Sequence, residues 1–257
     1  METASDEPFQ AALLPYRYME PTTMRALMSC LCLGMMLSGL GATVWATENE
    51  LTPEEKEQGW QLLFNGRDHT GWKCADGKDI ATPLEEESLL PYKAGSYVIF
   101  YEKPYGDFVL KCDVKWTEAE CNSGVFFRVE KKDDPVNTGF EIQVASGTGV
   151  SKHSFGAIYD LVAPTKFAGR ATGEWNQLEI RCQGSKISVR LNDQDIAHMD
   201  CDEYTQPGVC PDGKAHKYQL DGKPRAMKDF ARTGYLGLQD HGHKVLYRNI
   251  KLLELKK

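Results

Sequence analysis

Along Phe108–Trp116 every second residue is apolar. Phe108, Leu110, Cys112, Val114 and Trp116 fall on one face of an extended chain, and Lys111, Asp113 and Lys115 on the other. This period of two predicts a strand with one face in a core. The same pattern predicts strands at 124–129, 140–144, 175–182, 186–191, 235–239 and 244–254, separated by clusters of Gly, Asn, Asp and Pro. Gln183-Gly184-Ser185 reads as a hairpin, and Asn192-Asp193 opens another turn. Near the start, Thr52-Pro53-Glu54-Glu55 reads as a helix N-terminus with Thr52 as cap and Pro53 in the first turn. No long amphipathic helix follows residue 60, and helices do not alternate with strands, so a parallel α/β fold is disfavoured. The expected class is all-β, a single sandwich of two antiparallel sheets. Residues 200–233 are polar and loop-like, and loops of that length in a compact domain more often carry function than not.

Composition narrows the setting. The chain has 257 residues and a net charge of −7, of which −2 lies in the first 46 residues. An acidic remainder with mixed signs argues against a nucleic-acid partner, which calls for a clustered basic face. A charge-free run at 26–40 follows Arg25, and Val44-Trp45-Ala46 suits signal-peptidase cleavage. Residues 1–46 are therefore expected to be an N-terminal extension and signal peptide, 47–58 a short polar linker or helix, and 59–257 the β domain. The run is short against the roughly 20 residues of a membrane span. The expectation is export to the periplasm or medium without stable membrane insertion after cleavage. Of eight cysteines, Cys30 and Cys32 fall in the leader. The other six permit disulfides in an exported chain, with Cys201 and Cys210, which flank a Pro/Gly loop, as the expected local pair.

Two segments carry polar groups inside otherwise apolar strands: Asn122-Ser-Gly-Val-Phe-Phe-Arg128, and Gly237-Leu-Gln-Asp-His-Gly242 with Leu246-Tyr-Arg-Asn-Ile250. Polar groups beside a core cost free energy unless they are paired or used. Glu141 and Gln143 share one face of their strand, opposite Ile142 and Val144. Arg128 is expected on the face of Phe126, so that Arg128, Glu141 and Gln143 line one groove. The bland alternatives are an Arg128–Glu141 pair on a solvated sheet face, with Asp240 capping a turn and His241 merely exposed. Trp72, Trp116 and Trp175 read as core, and Arg248 and Asn249 as residues that pin loops.

The chain resembles the 3-keto-disaccharide hydrolase family. The marks are Leu63-Phe-Asn-Gly66 with Gly71-Trp72, Tyr105-Gly-Asp-Phe-Val-Leu110, Asn122 to Arg128, Phe140-Glu-Ile-Gln143, Gly156-Ala-Ile-Tyr-Asp160, Gly173-Glu-Trp-Asn176, and Gly237 to Gly242 with Arg248-Asn-Ile250. Seven marks in one order over about Gly59 to Leu255 make the resemblance specific. The segment Ile80 to Val98 departs from the family's pattern. The resemblance implies a concanavalin A-like jelly roll and an exported enzyme that cleaves 3-keto-glycosides. In the implied chemistry the C3 ketone acidifies the C2 hydrogen; a base removes it, the C1 aglycone leaves by elimination, and water adds back.

Such a site needs a base, a positive or hydrogen-bonding group at the ketone oxygen, and an acid at the leaving oxygen. His241 or Glu141 is the candidate base, Arg128 the enolate stabiliser, and Asp240 a group to orient His241 or bind a metal. Asn122, Gln143, Tyr159 and Gln239 are candidate substrate-binding residues, with Tyr159 suited to stack on a sugar. No cofactor is certain; a divalent cation could be held by Glu141, Asp240 and His241. The competing class is a lectin-like carbohydrate-binding module on the same sandwich, which would need no base and cation.

Overall fold

The computed structural model describes residues 48–256, so the signal-peptide expectation and Cys30 and Cys32 lie outside the described residues. In chain order the elements are α1 Pro53–Gln58, β1 Gln61–Leu62, β2 Trp72–Cys74, β3 Val98–Tyr101, β4 Phe108–Trp116, β5 Asn122–Val129, α2 Pro135–Thr138, β6 Phe140–Ala145, β7 Asn176–Gln183, β8 Lys186–Leu191, β9 Gln194–Asp200, β10 Gln219–Leu220, β11 Lys223–Pro224, β12 Tyr235–Gln239 and β13 Val245–Glu254. One sheet has six strands in the order β1-β13-β4-β7-β8-β9, and the other five in the order β2-β3-β12-β5-β6. Every pairing in both is antiparallel. A two-strand ladder, β10–β11, sits in the long polar loop.

Alternation builds the sandwich. Phe108, Leu110 and Val114 of β4, with Ile180 and Val189, meet Ile99, Val125, Phe127, Ile142 and Leu236 in one buried cluster. The rings of Phe108 and Phe127 meet edge-on, with centroids 6.4 Å apart. The expected all-β, jelly-roll-type sandwich is the fold observed.

Local signals worked where local physics decides. Thr52 accepts from the Glu55 amide and the Glu55 side chain accepts from the Thr52 amide, so α1 opens with a capping box. Asn192 and Asp193 have φ of 49° and 63°, the left-handed pair that a two-residue turn between β8 and β9 requires. The chain before β1 is bound to the last strand. Lys251 pairs with Glu55 at 2.8 Å, and Asn49 and Asn249 exchange two amide-to-side-chain hydrogen bonds at 2.6 and 2.9 Å.

Six strands escaped the pattern: β1, β2, β10 and β11, which have two or three residues each, and the longer β3 and β9. β3 is a short, continuous apolar run, and Gln194–Asp200 alternates poorly, so neither has a clear period. Trp72 and Trp116 are buried as expected. Trp175 instead lies half-buried under Arg248, whose guanidinium carbon is 3.9 Å from the ring centroid.

The expected Cys201–Cys210 bridge is not formed, and all six described cysteines are free and buried. Cys201 opens a short 3-10 turn tied to Ser185, whereas Cys210 closes its own turn with Lys214 and takes a hydrogen bond from Lys152 at 3.4 Å. Proximity in sequence did not bring the two thiols to face each other. Among the described residues no helix is long and apolar enough to cross a membrane.

Candidate active site

The outer face of the five-stranded sheet is made by residues 122, 124 and 126 of β5, 141 and 143 of β6, 237 and 239 of β12, and 98 and 100 of β3. Their neighbours point into the core. This face has an apolar half, where Val98, Phe100, Phe126 and Val129 cluster. Its other half is polar, with Asn122, Glu141, Gln143 and Gln239. Glycines separate the side chains. A Cβ on Gly237 would meet Val98 at 2.5 Å, and one on Gly124 would meet the Glu141 carboxylate oxygen at 2.2 Å. Glu141 therefore leans across β5 through space that only a glycine leaves open.

Over the polar half lies a cavity of about 330 Å³ that Glu141, Asn122, Gln143, Gln239, Tyr97 and His241 line together with Tyr159, His153 and Lys217. Glu141 is 4% exposed. Burial pushes its carboxyl up to about 7, and the charge of Lys217 and hydrogen bonding from Gln239 draw it only partly back. A buried carboxyl poised near neutrality is the tuning expected of an acid–base group.

Lys217 comes from the long polar loop. The residue as a whole is exposed, but its ammonium lies 3.9 Å from the Tyr159 ring centroid, where loss of water lowers its pKa against the pull of Glu141 and Asp160. Two contacts seat this loop: Asp160 accepts from the Lys217 amide at 2.7 Å, and the Tyr218 hydroxyl donates to the Tyr159 carbonyl at 2.7 Å; Tyr159 in turn donates its amide to the Glu141 carbonyl at 2.9 Å. The carboxylate and the cation are thus tied to one scaffold through Tyr159.

The structure brings together six of the eight residues proposed from sequence: Glu141, His241, Asn122, Gln143, Tyr159 and Gln239. Gln143 donates to Asn122 at 3.0 Å. Two do not join them. The ladder between β5 and β12 shifts register between Gly237 and Tyr235, and Arg128 takes a left-handed φ of 52°. This bulge turns Arg128 off the Phe126 face. Its guanidinium is fully buried and donates to the carbonyls of Gly106 and Gly184 and to Asp107 at 3.0 Å, so neither the groove position nor the Arg128–Glu141 pair is found.

Asp240 is a turn cap. Its two carboxylate oxygens accept from the amides of Lys93 at 2.8 Å and Gly242 at 2.9 Å. It does not orient His241, whose ring instead meets Tyr97 edge-on at 6.1 Å. With Asp240 so engaged, the set Glu141, Asp240 and His241 is not assembled for a cation. No group of three His, Cys, Asp or Glu suited to a metal ion occurs among the described residues.

Sequence reasoning missed Tyr97 and Lys217. The signal for Lys217 was the length of its loop. Tyr97 had only its place before the apolar Val98–Tyr101 run, at the end of the segment that departs from the family pattern. A second cleft of about 320 Å³ lies on the six-stranded sheet, but its polar groups engage one another: Lys251 pairs with Glu55, Lys111 with Glu179, and Asn249 donates to Asp113.

The seat of Glu141 makes a prediction. Gly124→Ala should displace the carboxyl and lower turnover about 100-fold, the cost of a misplacement near 1 Å. The fold should hold, as read by circular dichroism. Turnover within a few-fold of wild type would show that the Gly124 gap does not set the carboxyl's position.

Comparison with known proteins agrees with this architecture. The sequence model of the 3-keto-alpha-glucoside-1,2-lyase-like domain matches residues 59–253. A 3-keto-disaccharide hydrolase of Bacteroides thetaiotaomicron is 24% identical over 234 residues, covering 76% of this chain and 78% of that protein. Two crystal structures of glycosyl hydrolase candidates from Parabacteroides distasonis have the same fold. One is 27% identical with a TM-score of 0.65, over 82% of this chain and all of that one. The other is 28% identical with a TM-score of 0.57, over 72% and 99%. With the matched region running from the residue before Trp60 to Leu253 in the last strand, the chain belongs to the 3-keto-alpha-glucoside-1,2-lyase-like domain family.

Proposed function

We propose that this protein is a glycoside-cleaving enzyme that acts on 3-keto-glycosides, 3-keto-disaccharides among them, by elimination and hydration. The observation that carries the reading is Glu141, a buried carboxyl raised to about 7 in a cavity that also holds the Lys217 ammonium. Glu141 removes the C2 proton. The electron pair of that C–H bond flows toward the C3 oxygen, and Lys217, in the role first given to Arg128, holds the enolate charge. The enolate then expels the C1 aglycone, leaving a C1–C2 double bond, and water adds across it to complete net hydrolysis. Asn122, Gln143 and Tyr159 hold the sugar, and His241 lines the rim of the cavity. Export, supported by the charge-free run at 26–40, is part of the proposal and is checked by N-terminal sequencing of protein from the medium or periplasm, with Thr47 expected first.

The test is release of a chromogenic aglycone from a 3-keto-glucoside, with and without chelator, alongside the ordinary glucoside. Release from the keto sugar alone, with loss to solvent of a C2 deuterium, supports the reading. Binding of sugars without release across a panel of 3-keto-glycosides, with or without divalent metal, hands the site to the lectin alternative.

A further inference from the structure

Tyr97 occupies the site yet has no part in the chemistry above. Its hydroxyl oxygen accepts a hydrogen bond from Gln239 Nε2 at 2.6 Å. Because the phenol oxygen is already an acceptor there, its own proton is left without an acceptor among the described residues. Tyr97 is 46% exposed, so its ring borders the open cavity rather than the core. Burial of the hydroxyl end and the charge of Glu141 raise its pKa, which keeps the phenol protonated at neutral pH.

The strand order sets the directions. Tyr97 immediately precedes β3, Gln239 ends β12, Glu141 lies on β6 and leans over Gly124 of β5, and Tyr159 with Lys217 follow beyond β6. A proton donor and a cation thus reach the carboxyl from opposite sides. In a 3-keto-glycoside C2 lies between C3, whose oxygen gains charge first, and C1, whose oxygen leaves. A carboxylate under C2 with a cation on one side and a neutral O–H on the other matches that arrangement.

We propose that Tyr97 is the catalytic acid at the leaving oxygen, positioned by Gln239; the assignment rests on the C2-elimination reading. As the C1–O1 bond breaks, its electron pair takes the Tyr97 proton, and Gln239 Nε2 donates to the phenolate that forms. In hydration the phenolate takes a proton from the water that bonds to C1, and the proton held by Glu141 returns to C2. Both groups end as they began, and the net change is the addition of one water.

The experiment measures two rates on the full-length protein: aglycone release and loss of a C2 deuterium to solvent. It uses wild type, Tyr97→Phe and Gln239→Leu on 3-keto-glucosides whose aglycones run from 4-nitrophenol to an alkyl alcohol. A nitrophenolate leaves without a proton and an alkoxide does not. Tyr97→Phe should therefore lose about 10²–10³-fold in release of the alkyl alcohol, stay within a few-fold for 4-nitrophenol, and retain C2 exchange. Gln239→Leu should show the same leaving-group dependence at smaller size. A loss equal for all aglycones, a matching loss of C2 exchange, or no loss overturns the assignment while leaving the elimination reading intact. A wild type that neither exchanges nor releases overturns both.

Discussion

Glu141→Gln is expected to lower turnover about 10²–10⁴-fold, the usual worth of a positioned base, and at the same time to stabilise the protein above neutral pH. The two effects have one cause. Burial raises the Glu141 carboxyl from 4.5 to about 7, so the folded protein holds a proton that the unfolded chain gives up at lower pH. The stability this group contributes is full below about 4.5 and is lost as pH rises through about 7. A rise of this size corresponds to roughly 3 kcal/mol between the neutral and ionised forms. Glutamine has nearly the same shape and no proton to lose, so it keeps what the wild type forfeits. Thermal melts of the two proteins should nearly coincide at pH 5, and the variant should melt several degrees higher at pH 8. The kcat/KM of the wild type should rise with pH through about 7 as the carboxylate forms. Wild-type turnover in Glu141→Gln, together with a large loss in His241→Gln, would move the base to His241.

Arg128→Met is expected to behave in the opposite way. Arg128 is fully buried, and its donors serve the Gly106 and Gly184 carbonyls and Asp107, which link β5 to the approach to β4 and the β7–β8 turn of the other sheet. Asp107 is only partly buried, so removing its partner leaves a charge that keeps some water, and the cost is about 3 kcal/mol, the low end for a buried pair. Asp107 also accepts from the Gly184 amide at 3.0 Å, so the turn loosens as well. Denaturant titration should show this loss, whereas turnover per folded molecule should stay within a few-fold of wild type. Adding Asp107→Asn should recover part of the stability, because the stranded charge is gone. A fall of several orders of magnitude in turnover of a fully folded Arg128→Met would return Arg128 to the active site.

The arginine shows where reading a chain residue by residue stops. Alternation placed Glu141 and Gln143 on one face correctly, because the side-chain period of a strand is a property of the strand alone. Arg128 had the same local evidence and went elsewhere, because a bulge belongs to a pair of strands and depends on how β5 registers with β12, about a hundred residues away. Asp240 is a similar case: it lies beside His241 in sequence, but its carboxylate is engaged by the Lys93 amide from a distant segment.

The all-β sandwich, the Thr52 cap, the Asn192-Asp193 turn and the shared face of Glu141 and Gln143 follow from short-range periodicity and turn chemistry, whereas Asn122, Tyr159, Gln239 and His241 stood out by their polar character and by the family resemblance, and the fold brings them together. Lys217 and Tyr97 come from irregular segments, where no period constrains a side chain, so their place at the site depends on how those segments pack onto the sheet. The cysteines follow the same rule, since two thiols nine residues apart bond only if the fold turns them together, and here Lys152 and Ser185 draw the two segments in different directions. The raised pKa of Glu141 also has no counterpart in sequence, because it arises from burial of one carboxyl, which Lys217 and Gln239 only partly offset, and burial is a property of packing rather than of any residue.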